Sequence, residues 1–159
     1  MVTSFLGLGT NIGDRKANLS KAMKSIAELE VDIISVSRVY KSEPWGYKSE
    51  NDFYNQVIEI NTGIDAFDLL DRAQLTEKKL GRKKTIKPYS DRIIDIDILF
   101  YGNSIISSKP LIIPHPLLHK RRFVLEPMAE IAPGFLHPVF GKTITELLQE
   151  CDDQTVIPL

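Results

Sequence analysis

Segment 92–102 constrains this chain more than any other stretch. Ile93, Ile94, Ile96, Ile98, Leu99, Phe100 and Tyr101 give it the composition of a β-strand, yet Asp95 and Asp97 stand inside it. Side chains two apart in a strand share a face, so the two carboxylates point one way and Ile94, Ile96 and Ile98 the other. Aspartate is depleted in strands, and a pair inside such an apolar run needs a reason. A hard divalent cation supplies one, because Mg²⁺ takes carboxylate and phosphate oxygens and keeps much of its water.

At 159 residues, 43% of them apolar and 26% charged, the chain reads as one globular domain spanning 1–159. A formal net charge of -1 argues against a general nucleic-acid binder. Cys151 is the single cysteine, which excludes an intramolecular disulfide and fits a cytoplasmic setting. The first residues lack the basic and apolar regions of a signal peptide. No apolar run approaches about 18 residues, so no membrane-spanning helix is expected.

The chain order predicts a strand over 2–8, with Gly7 and Gly9 attributed to turn geometry at its end. A helix follows with Leu19, Ala22, Met23, Ile26 and Leu29 at helical spacing. A second strand is expected over 31–40, a long loop over 41–52 and a third strand over 53–61. Asp65 caps a second helix carrying Ala66, Leu69, Leu70, Ala73 and Leu80 inward, with Gly81 at its C-terminus. A basic loop over 82–91 leads to the Asp-bearing strand at 92–101, and Ile105 and Ile106 form a short edge strand. Short helices over about 121–130 and 143–150 end the chain, the second opened by a Thr143/Glu146 capping box. The order β-α-β-β-α-β matches the ferredoxin-like α+β class, although it also fits other two-layer α+β folds. Its helices lie on one side of an antiparallel sheet, with a short, mostly helical C-terminal appendix.

Lys78, Lys79, Arg82, Lys83, Lys84, Lys87 and Arg92 crowd the approach to the acidic strand, and Asp91 is the only acid among them. Such a block beside two carboxylates fits a polyphosphate held by metal and by cations; Arg offers forked donors and Lys a mobile point charge. No P-loop, protein-kinase signature set or Rossmann glycine pattern is present. His115, His119 and His137 do not have zinc-site spacing.

The stretch Asp91-Arg92-Ile93-Ile94-Asp95-Ile96-Asp97-Ile98-Leu99-Phe100-Tyr101-Gly102 resembles the signature of the 6-hydroxymethyl-7,8-dihydropterin pyrophosphokinases of folate biosynthesis. Agreement extends to Gly7-Leu8-Gly9-Thr10-Asn11, Ser42-Glu43-Pro44-Trp45-Gly46, Phe53-Tyr54-Asn55-Gln56, Gly81-Arg82, Ile113-Pro114-His115-Pro116 and Lys120-Arg121-Arg122-Phe123. The resemblance implies transfer of a diphosphoryl group from ATP, the co-substrate, to the pterin hydroxymethyl oxygen, with AMP released and two Mg²⁺ ions required. It implies that Asp95 and Asp97 hold the metals and that Arg82, Lys84 and Arg92 grip the phosphates. Arg82, Arg92, Asp95 and Asp97 form the catalytic set. His115, Arg121, Gln74 and Glu77 complete the ATP site.

Phe123 and Phe53 match a sandwich around the pterin and Asn55 its hydrogen-bonding partner, with Ser42, Pro44 and Trp45 lining the rest. An aromatic sandwich with a directional amide suits a flat ligand with a polar edge. Implied partners are these small molecules only, with no nucleic acid or membrane, and the protein is expected to be a monomer. The loops over 42–52 and 82–92 are expected to be mobile without ligands.

The chain departs from the family where Asp91 replaces a common proline, Lys84 an arginine and Tyr89 a tryptophan. Loss of the proline is expected to leave the loop end less restricted, with a negative charge beside the phosphate grip. A rival from another class is an RNA-binding module of similar topology, with Phe53 and Tyr101 as its aromatic platform. A small-molecule regulatory or oligomerisation domain is a second rival, and it would have no need of Asp95 and Asp97.

Overall fold

The computed structural model describes residues 1–83, 85 and 87–159. Strand β1 (Val2–Thr10) runs through both early glycines, so Gly7 and Gly9 lie in a strand interior and not in the expected turn. Helix α1 (Arg15–Ala27) is capped by the Asp14 side chain, which accepts from the Ala17 N–H, and buries Leu19, Ala22 and Ile26. The expected single strand over 31–40 is two, β2 (Val31–Val36) and β3 (Tyr40–Ser42), both antiparallel to β4 (Phe53–Thr62). Ser37 breaks the run. Its hydroxyl donates to the Arg38 carbonyl and accepts from the Val57 N–H, taking the place of a ladder carbonyl.

Helix α2 (Ala66–Lys79) starts where the Asp65 carboxylate accepts from Phe67 and Asp68 N–H. Gly81 beyond its C-terminus has φ +103°, open to glycine at no steric cost. Strand β5 (Asp95–Tyr101) is shorter than expected, because its regular ladder with β1 ends at the Gly9–Asp95 pair. A separate hairpin joins β6 (Ile106–Ser107) to β7 (Ile112–Ile113). Helices α3 (Arg122–Ile131) and α4 (Ile144–Glu150) follow, the latter with the Thr143/Glu146 capping box, and β8 (Ile157–Pro158) pairs with β3.

The main sheet runs β5-β1-β4-β3-β8, with β2 beside β3 along the same edge of β4. This is the ferredoxin-like arrangement with its second strand split. Helices α1 and α2 cover one face, where Leu6, Leu8, Ile58, Ile60, Ile96 and Ile98 bury with Leu69 and Ile26. The appendix covers part of the other face, where Phe5, Val57, Leu99 and Phe100 meet Leu125, Met128, Ile144 and Leu147.

The alternation on β5 holds from Asp95 to Leu99 and then breaks. Phe5 pairs with Phe100 and Leu6 with Ile98, so Leu99 is an unpaired bulge residue and both Leu99 and Phe100 join the second core. The Leu99 carbonyl accepts from the His115 N–H at 3.0 Å. The bulge therefore moors His115 two residues from Asp97 along the strand.

Candidate active site

The second face of the sheet carries one continuous cleft of about 1660 Å³ where the appendix stops short. Such a volume exceeds the roughly 300–1,000 Å³ typical of one small-molecule site, which leaves room for two ligands side by side. Register dictates its floor. Asp95 pairs with Gly9, and Gly9 with Asn55; Asp97 pairs with Gly7, and Gly7 with Val57. Paired residues point to the same face, so the carboxylates and the Asn55 amide are separated by bare backbone. A Cβ on Gly9 would stand 3.6 Å from Asn55 Oδ1 and 3.7 Å from Phe53 Cδ1, inside the cleft. The two glycines keep the floor flat.

At the acidic end, Arg82 Nη1 donates to Asp95 Oδ1 at 2.8 Å and also to Glu77 Oε2, while Arg92 Nη1 lies 3.3 Å from Asp95 Oδ2. Each oxygen of Asp95 thus already faces a cation. Glu77 is buried on the α2 side and its Oε2 accepts the Ile96 N–H at 2.8 Å. Burial raises the Glu77 pKa to about 7, opposed by the Ile96 N–H and Arg82. Burial works against the Arg82 cation, but Asp95 and Glu77 outweigh it and hold the pKa above its ordinary value. Asp97 is pushed well above the usual carboxylate range by burial first and by Asp95 second, with Arg121 opposing.

Among the described residues no group of three His, Cys, Asp or Glu side chains could cage a metal by itself. Two carboxylates lining one cleft fit Mg²⁺, which completes its shell from waters and substrate phosphates. His115 borders the same end. Its Nδ1 accepts from the Leu117 N–H, which leaves Nε2 as the donor of the neutral ring, and burial lowers its pKa to about 4 with help from Arg121.

At the other end, buried Asn55 donates from Nδ2 to Ser42 Oγ at 2.8 Å and to the Tyr40 carbonyl at 3.2 Å. Its amide is thereby fixed in one orientation. The Arg121 guanidinium lies 4.6 Å from the Trp45 ring centroid and 5.6 Å from that of Phe123. Arg121 Nε is the one buried side-chain polar atom without a hydrogen-bond partner among the described residues, as expected of a group awaiting a ligand.

The cleft brings together the sequence-derived residues from Ser42 and Trp45 through Gln74 and Glu77 to Phe123. Pro44 is the exception: it faces a smaller recess beside Phe123 and Asp153. Lys84 lies outside the described residues. Three residues of the motif Gly7-Leu8-Gly9-Thr10-Asn11 have a place in the site that the sequence does not specify. Turn geometry accounts for Gly7 and Gly9 in the sequence, and Asn11 ties the 43–52 loop to the Asp91–Arg92 segment. A glycine pair at spacing two inside a predicted strand was the available signal for the first two.

The chain matches the 7,8-dihydro-6-hydroxymethylpterin-pyrophosphokinase (HPPK) family over residues 5–133. It is 39% identical over 150 residues to the 2-amino-4-hydroxy-6-hydroxymethyldihydropteridine pyrophosphokinase of Aquifex aeolicus, covering 94% of this chain and 92% of that one. The Haemophilus influenzae enzyme of the same name is 36% identical over 160 residues, covering 100% of this chain and 99% of its own. Among solved structures, an HPPK-DHPS in complex with substrates superimposes with a TM-score of 0.76 at 14% identity, covering 94% of this chain. Plasmodium falciparum HPPK-DHPS gives 0.74 at 18% identity, also over 94%. The chain spans 43% of each of these two, and at such identities they speak for the fold alone. With a match that includes the Asp-x-Asp strand and relatives aligned over nearly their whole length, the chain belongs to the HPPK family.

Proposed function

We propose that this cleft transfers the diphosphoryl group of Mg-ATP to 6-hydroxymethyl-7,8-dihydropterin, with the residues above dividing the work. ATP-dependent diphosphoryl transfer to the dihydropterin, a step of folate synthesis, is the activity of the family. Asp95 and Asp97 would hold two Mg²⁺ ions, and the metal would supply charge neutralisation on the phosphate oxygens. Arg82 and Arg92, paired with Asp95 at one end of the cleft, are the cations in reach of the nucleotide phosphates. His115 Nε2 and Arg121 add donors on the nucleotide side, with Gln74 exposed on α2 at its edge. Lys84 joins the grip by resemblance.

Phe53 and Phe123 clasp the pterin ring, Asn55 Oδ1 accepts from its edge, and Ser42 and Trp45 close the pocket, with Pro44 behind. The hydroxymethyl oxygen attacks the β-phosphorus in line. A P–O bond forms there as the bond to the bridging oxygen of the α-phosphate breaks, AMP departs, and the hydroxyl proton is released. Loose phosphoryl transition states ask little of a base, so orientation and electrostatics carry the rate. The chain is read as one working unit over 1–159, a cytoplasmic monomer acting on small molecules. Among the described residues no helix is long and apolar enough to cross a membrane.

One observation carries this reading: the Asp95–Gly9–Asn55 row sets a metal-type carboxylate and a heterocycle-type amide at opposite ends of one flat floor. The RNA platform finds no support. Tyr101 packs against the helix-side core with its hydroxyl donating to the Ile64 carbonyl, while Phe53 faces the cleft on the other side. AMP release from Mg-ATP, measured with and without the pterin, is the test. Pterin-dependent release is expected; equal release in both arms would refute the acceptor.

A further inference from the structure

Asp91 stands where the family resemblance leads one to expect a proline, and its surroundings are not those of a loose loop end. Both of its carboxylate oxygens are saturated. Oδ1 accepts from Asn11 Nδ2 at 2.9 Å and from the Tyr47 hydroxyl at 2.9 Å. Oδ2 accepts from Ser49 Oγ at 3.0 Å and from Asn51 Nδ2 at 2.9 Å. A carboxylate has about four acceptor sites, and all are used. Three donors come from the 43–52 loop and one from the end of β1.

Asn11, itself buried, completes the joint. Its two Nδ2 hydrogens are shared among Asp91 Oδ1, the Tyr47 hydroxyl and the Asn51 carbonyl, and its Oδ1 accepts the Arg92 N–H at 2.8 Å. Its own N–H donates to the Arg92 carbonyl. The loops touch again at Gly46, where φ is +83° and a Cβ would meet the Tyr89 ring at 3.2 Å. Trp45 meets the same ring edge-on, with centroids 6.0 Å apart.

We propose that Asp91 is a positioning residue whose carboxylate locks the 43–52 loop, bearing Trp45, to the segment bearing Arg92. The pterin wall and the phosphate grip then assemble as one body, in place of the stiffness a proline would give. The expected effect of the substitution is therefore reversed: the joint is tightened, and the negative charge is spent on neutral donors. Swinging the loop outward would exchange three charge-assisted hydrogen bonds from Tyr47, Ser49 and Asn51 for water, so the joint favours the docked arrangement of the two segments. Coupling follows, because whatever orders one loop orders the other. This inference rests on the assignment of the cleft given above.

Trp45 is the only tryptophan of the chain and lies on the latched loop, so its fluorescence reports closure. In the ligand-free full chain, Asp91→Ala is expected to increase acrylamide quenching of Trp45. It should raise the pterin KM about tenfold if the closed population falls to a tenth, with kcat changed less. Unchanged quenching or an unchanged KM in the folded variant overturns the proposal. Should that variant not fold, Ser49→Ala with Asn51→Ala removes both donors to Oδ2 from the loop side and is judged by the same two readouts. A wild-type chain without pterin-dependent AMP release would sink the assignment of the cleft, while quenching would still decide the latch.

Discussion

Replacing Gly9 with alanine should move stability and binding in opposite directions. Gly9 lies within β1 at an ordinary strand φ, and an added methyl meets only Asn55 Oδ1 at 3.6 Å and Phe53 Cδ1 at 3.7 Å, ordinary van der Waals distances. The fold therefore accommodates it. Alanine also loses less backbone entropy than glycine on folding, a gain of about 0.5–1 kcal/mol. For a chain of this size that raises Tm by roughly 1–4 °C. The same methyl rises from the floor between Asp95 and Asn55, where a flat ring must lie. Crowding of that kind costs about 1–3 kcal/mol, or roughly 5- to 150-fold in pterin affinity. Thermal unfolding and the pterin KM are the two assays. An unchanged KM would show that no ligand lies over Gly9; a fall in Tm of several degrees would show that the fold, and not the site, demands glycine.

Two further outcomes follow from charge. His115 titrates at about 4 because burial, aided by Arg121, disfavours its cation, so between pH 4 and 6.5 the unfolded chain binds the extra proton and stability rises with pH. The whole contribution is about 3 kcal/mol; an NMR titration of the ring with a midpoint near 6.5, or urea midpoints that do not fall below pH 6, would contradict it. Asp97→Asn should stabilise the protein at neutral pH, since burial and Asp95 penalise the wild-type carboxylate increasingly as pH rises above the ordinary Asp range. The same variant should lose turnover, and a lowered Tm at pH 7 would refute the electrostatic account.

Features governed by local chemistry were legible in the sequence. Asp65 and the Thr143/Glu146 box fix helix starts because their partners lie within three residues. The two-residue period exposed the shared face of Asp95 and Asp97 as far as Leu99. Features that depend on distant partners were not legible. The β-branched run over 31–40 gives no hint that Ser37 would bond Val57 and split it, and β8 exists only because β3 offers an edge to residues more than a hundred positions away. Gly7 and Gly9 resemble turn residues until the register sets them between a carboxylate strand and Asn55. Asp91 reads as a negative charge beside the phosphate grip, because the four donors that hold it come from two other segments. The family resemblance supplied roles for Phe123 and Asn55 that spacing alone would not assign.

Calorimetric titration of ATP into the chain at increasing Mg²⁺, for the wild type and for Asp95→Asn with Asp97→Asn, addresses the central claim most directly. The wild type should bind ATP tightly only with the metal present, and the double variant should lose that dependence while Arg82 and Arg92 retain weak, salt-sensitive binding. Equal Mg²⁺-dependent affinity in both proteins would mean that the two aspartates do not hold the metal.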